Sequence, residues 1–322
     1  MACVRELARA DGSLAHLFAY HHLEVITPHL IGTPEQRERY YRLTAERNWF
    51  WGNALNPQDT RVTLTSGRLN GTKSFCTGAR DSDVLLTSAI RPGEPGLVVA
   101  VIPTQREGVS VEADWDNMGQ RQTDSGSVVL RDVPVYAEEI LGPPGAGGST
   151  FATLRACVTQ TILSTIFLGI AEGAFEEARA YTSAQSKPFP GMSADRPAED
   201  PYVVHHFGQM WASLSGAARL VEEAAEALQN AWDSEDDLRA EARGACAVAV
   251  STAKVTAAQV ALDVTNRIFE ALGARATSTT YRFDRFWRNV RTLTLHDPLD
   301  VKVREVGDWA LNGRLPTPSF YS

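Results

Sequence analysis

The order of patterns along the chain predicts an α+β fold that is mainly helical, with a β unit set between two helical parts. Apolar residues recur at helical spacing before residue 48 and again after residue 150, while short alternating segments bounded by turn residues fill the stretch between Phe50 and Tyr136. No helical period interrupts those short segments, so they predict a small antiparallel barrel or sandwich of about 90 residues rather than βαβ units.

The first helix is expected from Cys3 to Ala10, ending at Asp11-Gly12, and the second from Ser13 to Leu30, ahead of Gly32. Thr33 followed by Pro34 and then acidic residues marks a third helix to about Asn48. A hydroxyl N-cap satisfies free amides, proline suits the first turn, and acids suit the helix dipole. Strands are expected at Val62–Thr65, at Thr72–Thr77 after an Asn70-Gly71 turn, and at Val84–Ala89, Leu97–Pro103, Val109–Trp115 and Val128–Tyr136. A Gly/Pro-rich linker, Gly142 to Gly148, closes the unit. Beyond it, Thr150–Thr182, the face Phe207, Met210, Trp211, Leu214, Ala218, Val221, Ala225, Leu228 and Trp232, and Leu238–Leu272 read as three long helices. A fourth after Asp297 completes a bundle.

Composition narrows the function. With 322 residues, 43% of them hydrophobic and 22% charged, the chain can bury a sizeable core. A net charge of -8 argues against a nucleic-acid partner, which would call for a basic surface. Cys3, Cys76, Cys157 and Cys246 are scattered without a CxxC pair, so neither a metal site nor a disulfide framework is expected, and a reducing cytoplasm is. The apolar stretch Cys157–Ala171 is interrupted by Thr and Ser and is short for a bilayer, and the charged start lacks the apolar core of a signal peptide, so no membrane association is expected.

The short nucleotide motifs fail. Gly145-Ala-Gly-Gly148 lacks the GxGxxG spacing, and Gly67–Lys73 lacks that of a P-loop. Ser251-Thr-Ala-Lys254 matches SxxK without its partner motifs and lies inside a helix, so it reads as non-catalytic. Two places do carry chemistry. His16 and Tyr20 are one helical turn apart and share a face. His296 precedes Asp297-Pro298, which reads as an N-cap and first-position pair, placing the imidazole at a positive helix end.

Five passages are far longer than these motifs: Asp11–His21, Asn48–Asn53, Asn70–Gly78, Trp115–Gly126 and Phe283–Pro298. Together they resemble the dibenzothiophene-oxidising, FMNH2-dependent monooxygenases built on the acyl-CoA dehydrogenase fold, over essentially the whole chain. The resemblance implies a partial N-terminal helical domain (1–48), a central antiparallel β-barrel domain (49–147) and a C-terminal four-helix bundle (148–322), with the match beginning inside the family's first domain.

It also implies FMN between the β domain and the bundle, a homotetramer whose neighbouring subunit completes the site, and a separate NAD(P)H-dependent flavin reductase. By matching positions, Asn53, Ala54, Leu55, Asn56, Pro57, Gln58 and the strand Lys73, Ser74, Phe75, Cys76, Thr77 would hold the ring. Trp115 would pack against it, with Tyr20 and His296 beside it. Lys187, and Arg275 with Ala274, would meet the phosphate, lysine standing where relatives have arginine. His16, Thr77 and His296, with Asp297, would stabilise a C4a-hydroperoxyflavin that gives its distal oxygen to a small aromatic or sulfur substrate, dibenzothiophene-like or otherwise.

Plain structural roles stand beside these: turn residues for Asn53 and Asn70, β core for Trp115, surface charges for Lys187 and Arg275, and a helix cap for Asp297. Two other functions stand as alternatives. An FAD-dependent acyl-CoA dehydrogenase would carry a catalytic glutamate where this chain has Leu293–Pro298, and a non-catalytic oligomerisation protein would bind no flavin. Leu293 replaces a histidine of the related monooxygenases, pointing to a changed substrate pocket.

Overall fold

The computed structural model describes residues 1–142, 148–184 and 194–322, so Lys187 and most of the Gly/Pro linker lie outside the described residues. The N-terminal helices are α1 (Ala2–Ala10), α2 (Gly12–Ile31) and α3 (Pro34–Arg47). Asp11 Oδ1 accepts from the amides of Ser13 and Leu14 and so starts α2. Thr33 and Gln36 form a reciprocal capping box on α3, with Pro34 in its first turn.

The strands are β1 (Trp51–Ala54), β2 (Thr63–Thr65), β3 (Arg68–Lys73), β4 (Val84–Ile90), β5 (Leu97–Pro103), β6 (Val109–Val111), β7 (Val128–Pro134) and β8 (Ile140–Leu141). Among the described residues they form one sheet in the order β6-β7-β3-β2-β4-β5-β8, with β1 added on β4. The sheet is mixed rather than purely antiparallel. β1 runs parallel to β4 from Trp51↔Val84 to Ala54↔Thr87, and β2 meets β4 in parallel at Thr63↔Ile90. Loops rather than tight hairpins join these pairs, which is what a parallel neighbour requires.

Three strand expectations are corrected. Asn70-Gly71 is not the turn. The hairpin reverses at Ser66-Gly67, both at positive φ, and Gly71 lies within β3 at a register shift, where a Cβ would come within 2.1 Å of the Arg61 carbonyl. The strand expected to reach Thr77 stops at Lys73, and the one expected to reach Trp115 stops at Val111. The segments beyond them leave the sheet and line a cavity.

The helical part comprises α4 (Leu154–Ala184), α5 (Pro201–Asp233), α6 (Ala240–Leu272), α7 (Asp284–Leu293) and α8 (Leu299–Asn312). α4 packs on α5 and α6, α8 packs on α6, and α1 and α2 cover α4, so the N-terminal helices share one apolar core with the bundle. Small residues make that closeness possible: a Cβ on Gly169 or Gly173 of α4 would strike α1 backbone. α4 and α6 are long and apolar enough to cross a membrane, more than the Cys157–Ala171 stretch alone suggests, but α4 is almost wholly buried as the bundle's central helix.

Candidate functional site

A cavity of about 1000 Å³ opens between the sheet and the helices, in the size range of small-molecule and cofactor sites. Its β-side wall comprises Asn53 of β1 with Leu55, Asn56, Pro57 and Gln58 after it, Phe75 and Thr77 after β3, and Trp115 with Gln120. Its helical wall comprises His16, Tyr20 and Leu23 of α2, Arg155 of α4, Leu293 to Pro298 between α7 and α8, and Tyr321. Ten of the expected site residues beside Thr77, namely His16, Tyr20, Asn53, Leu55, Asn56, Pro57, Gln58, Phe75, Trp115 and His296, therefore meet there, and Asp297 joins them.

The β wall is held by backbone. The Asn53 amide donates to the Thr77 carbonyl at 2.9 Å, tying the two segments together, and Asn53 Oδ1 accepts from the Leu55 amide at 2.7 Å. Phe75 has φ +60 and is 63% exposed, with its ring edge-on to Trp115 at 6.1 Å. Trp115 donates from Nε1 to the Gln120 carbonyl, so it is a wall of the cavity and not β core. Thr77 Oγ1 lies 2.9 Å from Ser125 Oγ, which reaches Thr123 Oγ1 at 2.8 Å.

Four expected ligands stand behind this wall rather than in it. Ala54 and Cys76 pack in the sheet's core, where burial pushes the Cys76 thiol up to about 12. Lys73 is fully buried and donates to the carbonyls of Asn56 at 3.0 Å and Asp59, so its side chain fixes the 56–59 loop. Burial lowers its ammonium to about 8, against the opposing pull of Asp59. Ser74 Oγ accepts from Arg61. Ala274 and Arg275 form an exposed turn after α6 and do not line this cavity.

The helical wall is titratable. Gln120 is aimed by its backbone: Gly119 passes so close to α7 that a Cβ would lie 2.0 Å from the Arg288 carbonyl, and Gln120 binds Asn289 through its amide and through Nε2. That leaves Gln120 Oε1 to accept from His16 Nδ1 at 3.3 Å. The His16 Nε2 is then a lone pair, buried and without a partner among the described residues. Burial, and secondarily nearby His296, lower the His16 imidazole to about 3, so it is neutral at ordinary pH.

Asp297 is no helix cap. α8 begins at Leu299 with Pro298 at its N-cap, and the carboxylate instead takes Lys254 Nζ at 2.5 Å and His296 Nδ1 at 3.0 Å on the same oxygen. Burial alone would raise this carboxyl, but the His296 hydrogen bond and the Lys254 charge outweigh it and hold it at about 2. A carboxylate only accepts, so His296 carries its proton on Nδ1, and Nε2 receives the Tyr20 hydroxyl at 3.0 Å. Burial also raises the Tyr20 phenol, which stays protonated, and its ring meets that of His16 edge-on at 4.3 Å. Gln120, Ser125, Tyr321 and Lys254 were not foreseen as site residues. Lys254 entered the sequence reading only through the SxxK match, read as non-catalytic; its further sign is a lone lysine among Val250, Ala253, Ala257 and Ala258 on an otherwise apolar helix face.

Residues 53–133 match the acyl-CoA dehydrogenase middle domain, and 161–300 match the acyl-CoA dehydrogenase C-terminal domain. The chain is 49% identical to a probable FMNH2-dependent monooxygenase, SfnC of Pseudomonas putida, over 100% of this chain and 82% of that protein. The structure of methanesulfinate monooxygenase MsuC from Pseudomonas fluorescens superposes with a TM-score of 0.96 at 48% identity, covering 99% of this chain and 84% of that one. The complex of TdsC from Paenibacillus sp. A11-2, a dibenzothiophene monooxygenase, with FMN and indole gives 0.92 at 43% identity, covering 99% and 84%.

Proposed function

From the premise that the chain belongs to the FMNH2-dependent monooxygenases of the acyl-CoA dehydrogenase fold, we propose that its cavity binds FMNH2 and a small organosulfur compound and inserts one oxygen atom into the latter. The observation that carries this is the pairing of a backbone-lined wall with a buried imidazole whose Nε2 has no partner among the described residues. Such an acceptor costs free energy unless a bound molecule meets it.

The residues fit the ring end of FMN. The 53–58 loop offers amides and carbonyls to a heterocycle needing both donors and acceptors, Trp115 and Phe75 offer aromatic surface, and Thr77 offers a hydroxyl. They do not by themselves fit its phosphate. Arg155, the lining cation among the described residues, is already held by Glu24 through its Nη2 at 3.0 Å. Arg275, exposed outside its own cavity, with Lys187, would therefore serve the phosphate across a contact with a neighbouring copy, in keeping with a homotetramer.

Bound and reduced, FMN supplies the two electrons that let one atom of dioxygen enter the substrate while the other leaves as water. His16 remains uncharged and presents a lone pair. His296, with its proton held on Nδ1 by Asp297, passes or withholds a proton at Nε2 through Tyr20. The apolar side chains Leu23, Leu293, Val301 and Phe320 exclude water from the site. The chain has no nicotinamide motif, so FMNH2 is taken from a separate NAD(P)H-dependent reductase, and the thiol state of all four cysteines suits the cytoplasm.

Two substrate classes are worth separating. Arg155 is paired with Glu24 and Asp297 with Lys254, so among the described residues the wall has no spare cation, favouring a neutral thioether such as dibenzothiophene. The likeness to a methanesulfinate monooxygenase favours an alkanesulfinate. Anaerobic protein loaded with FMNH2 and mixed with ¹⁸O₂ and either substrate should yield product carrying one ¹⁸O. Failure to bind FMNH2, or peroxide release alone across a panel of sulfides and sulfinates, overturns the reading.

A further inference from the structure

Lys254 is a buried ammonium that the chemistry just described does not use. It stands on α6, 2% exposed, between Gln160 Oε1 of α4 and Asp297 Oδ1, 2.5 Å away. That same carboxylate oxygen faces His296 Nδ1 at 3.0 Å. An ammonium and an imidazole N–H thus share one carboxylate oxygen. We propose that Lys254 is a positioning residue for His296: by neutralising Asp297 from behind, it leaves the imidazole uncharged, with its proton on Nδ1 and its Nε2 lone pair turned to Tyr20 and the cavity.

Charge balance supports this. The charged groups around the ring pair off: Arg155 of α4 with Glu24 of α2, Lys302 with Glu305 of α8, and Lys254 of α6 with Asp297. The remaining titratable neighbours, Tyr20 and His16 of α2 and Tyr321, are uncharged at neutral pH, since burial lowers the histidine and raises both phenols. A proton on His296 would be an unbalanced charge while Lys254 is present. Without Lys254, Asp297 is the unbalanced one, and His296 Nδ1 is the cation nearest to it. An opposite charge at this range raises an imidazole's titration midpoint by about one unit or more. Gln160 adds direction, since its Oε1 accepts from the ammonium and fixes it between α4 and Asp297.

The proposal rests on reading His296 as part of the flavin cavity, and its test needs no flavin. Imidazole ¹⁵N spectra of the flavin-free protein, with His296 assigned by the loss of its signals in His296→Asn, report both tautomer and titration. Wild type should show the Nδ1-protonated neutral tautomer. Lys254→Met should move the His296 midpoint up by about one unit or more relative to wild type. Lys254→Gln keeps a donor toward Asp297 without the charge and should do the same if Lys254→Met does not fold. The double variant Lys254→Met/Asp297→Asn removes both charges and should return the midpoint to the wild-type value or below. An unmoved midpoint in a folded single variant, or an equal rise in the double variant, overturns the proposal. FMNH2 binding, measured separately, decides the functional reading on its own.

Discussion

The two walls of the cavity are built on opposite principles. On the β side, loops that leave the sheet are fixed by backbone hydrogen bonds and by Lys73 from behind, and they present amides, a threonine hydroxyl and aromatic surface. On the helical side, rigid helices deliver His16, Tyr20, His296 and Asp297, joined through titratable groups and charge-balanced by Lys254. The difference teaches a division that the proposed function would use: the face presented by the β wall carries groups whose charge does not change with pH, and the face presented by the helical wall carries groups whose charge can. Keeping them on separate elements lets each be set without disturbing the other.

Three variants probe that division. The largest effect is expected for His296→Ala, which removes the imidazole between Asp297 and Tyr20. Product formed per FMNH2 consumed should fall by about 100-fold, as for loss of a general acid–base, with released peroxide making up the difference. Equilibrium affinity for FMNH2 should change much less. An equal loss of affinity would place His296 on the binding wall and collapse the distinction.

Trp115→Ala tests the other side. Losing the ring that packs beside Phe75 should weaken FMNH2 binding by about 10-fold, or about 1.4 kcal/mol, as seen by anaerobic fluorescence titration. The pH profile of product formation should keep its shape. A shifted profile would mean that Trp115 acts on the proton-handling wall through Gln120 and His16.

The third variant concerns His16 and is read in stability rather than in binding or turnover. Its folded value of about 3 lies below the ordinary histidine value of about 6.5, so the unfolded chain binds the extra proton first. Stability should therefore fall as pH drops from about 6.5 toward 3, and His16→Asn should flatten that slope in urea unfolding followed across the window. An unchanged slope would show that the folded imidazole takes up its proton as readily as the unfolded one, and burial would then not hold His16 neutral below about pH 6.5.

Much of this was legible before any coordinates. The cap at Thr33, the break at Asp11-Gly12, the helical periods and the strands at Val84–Ala89 and Leu97–Pro103 are local patterns, and local patterns survive folding. Asn70-Gly71 misled because a positive-φ glycine serves a bulge as well as a turn, and only the approach of Arg61 distinguishes them. Asp297-Pro298 misled because a capping signal and a buried ion pair use the same residue, and the cation that claims the carboxylate is 43 positions away.

By itself, then, the sequence determined the family, the order of the elements and the two histidine-bearing segments, because these are written in contiguous residues and in the periods of helix and strand. Tertiary structure decided which of the named residues face the cavity. It put the side chains of Lys73 and Cys76 behind the wall, and it set Lys254 of α6 and Gln120 of the β excursion against His296's aspartate and His16. The reason is physical: burial and pairing belong to surfaces that meet only when distant segments pack, and no local pattern records which charge will be left to neutralise another.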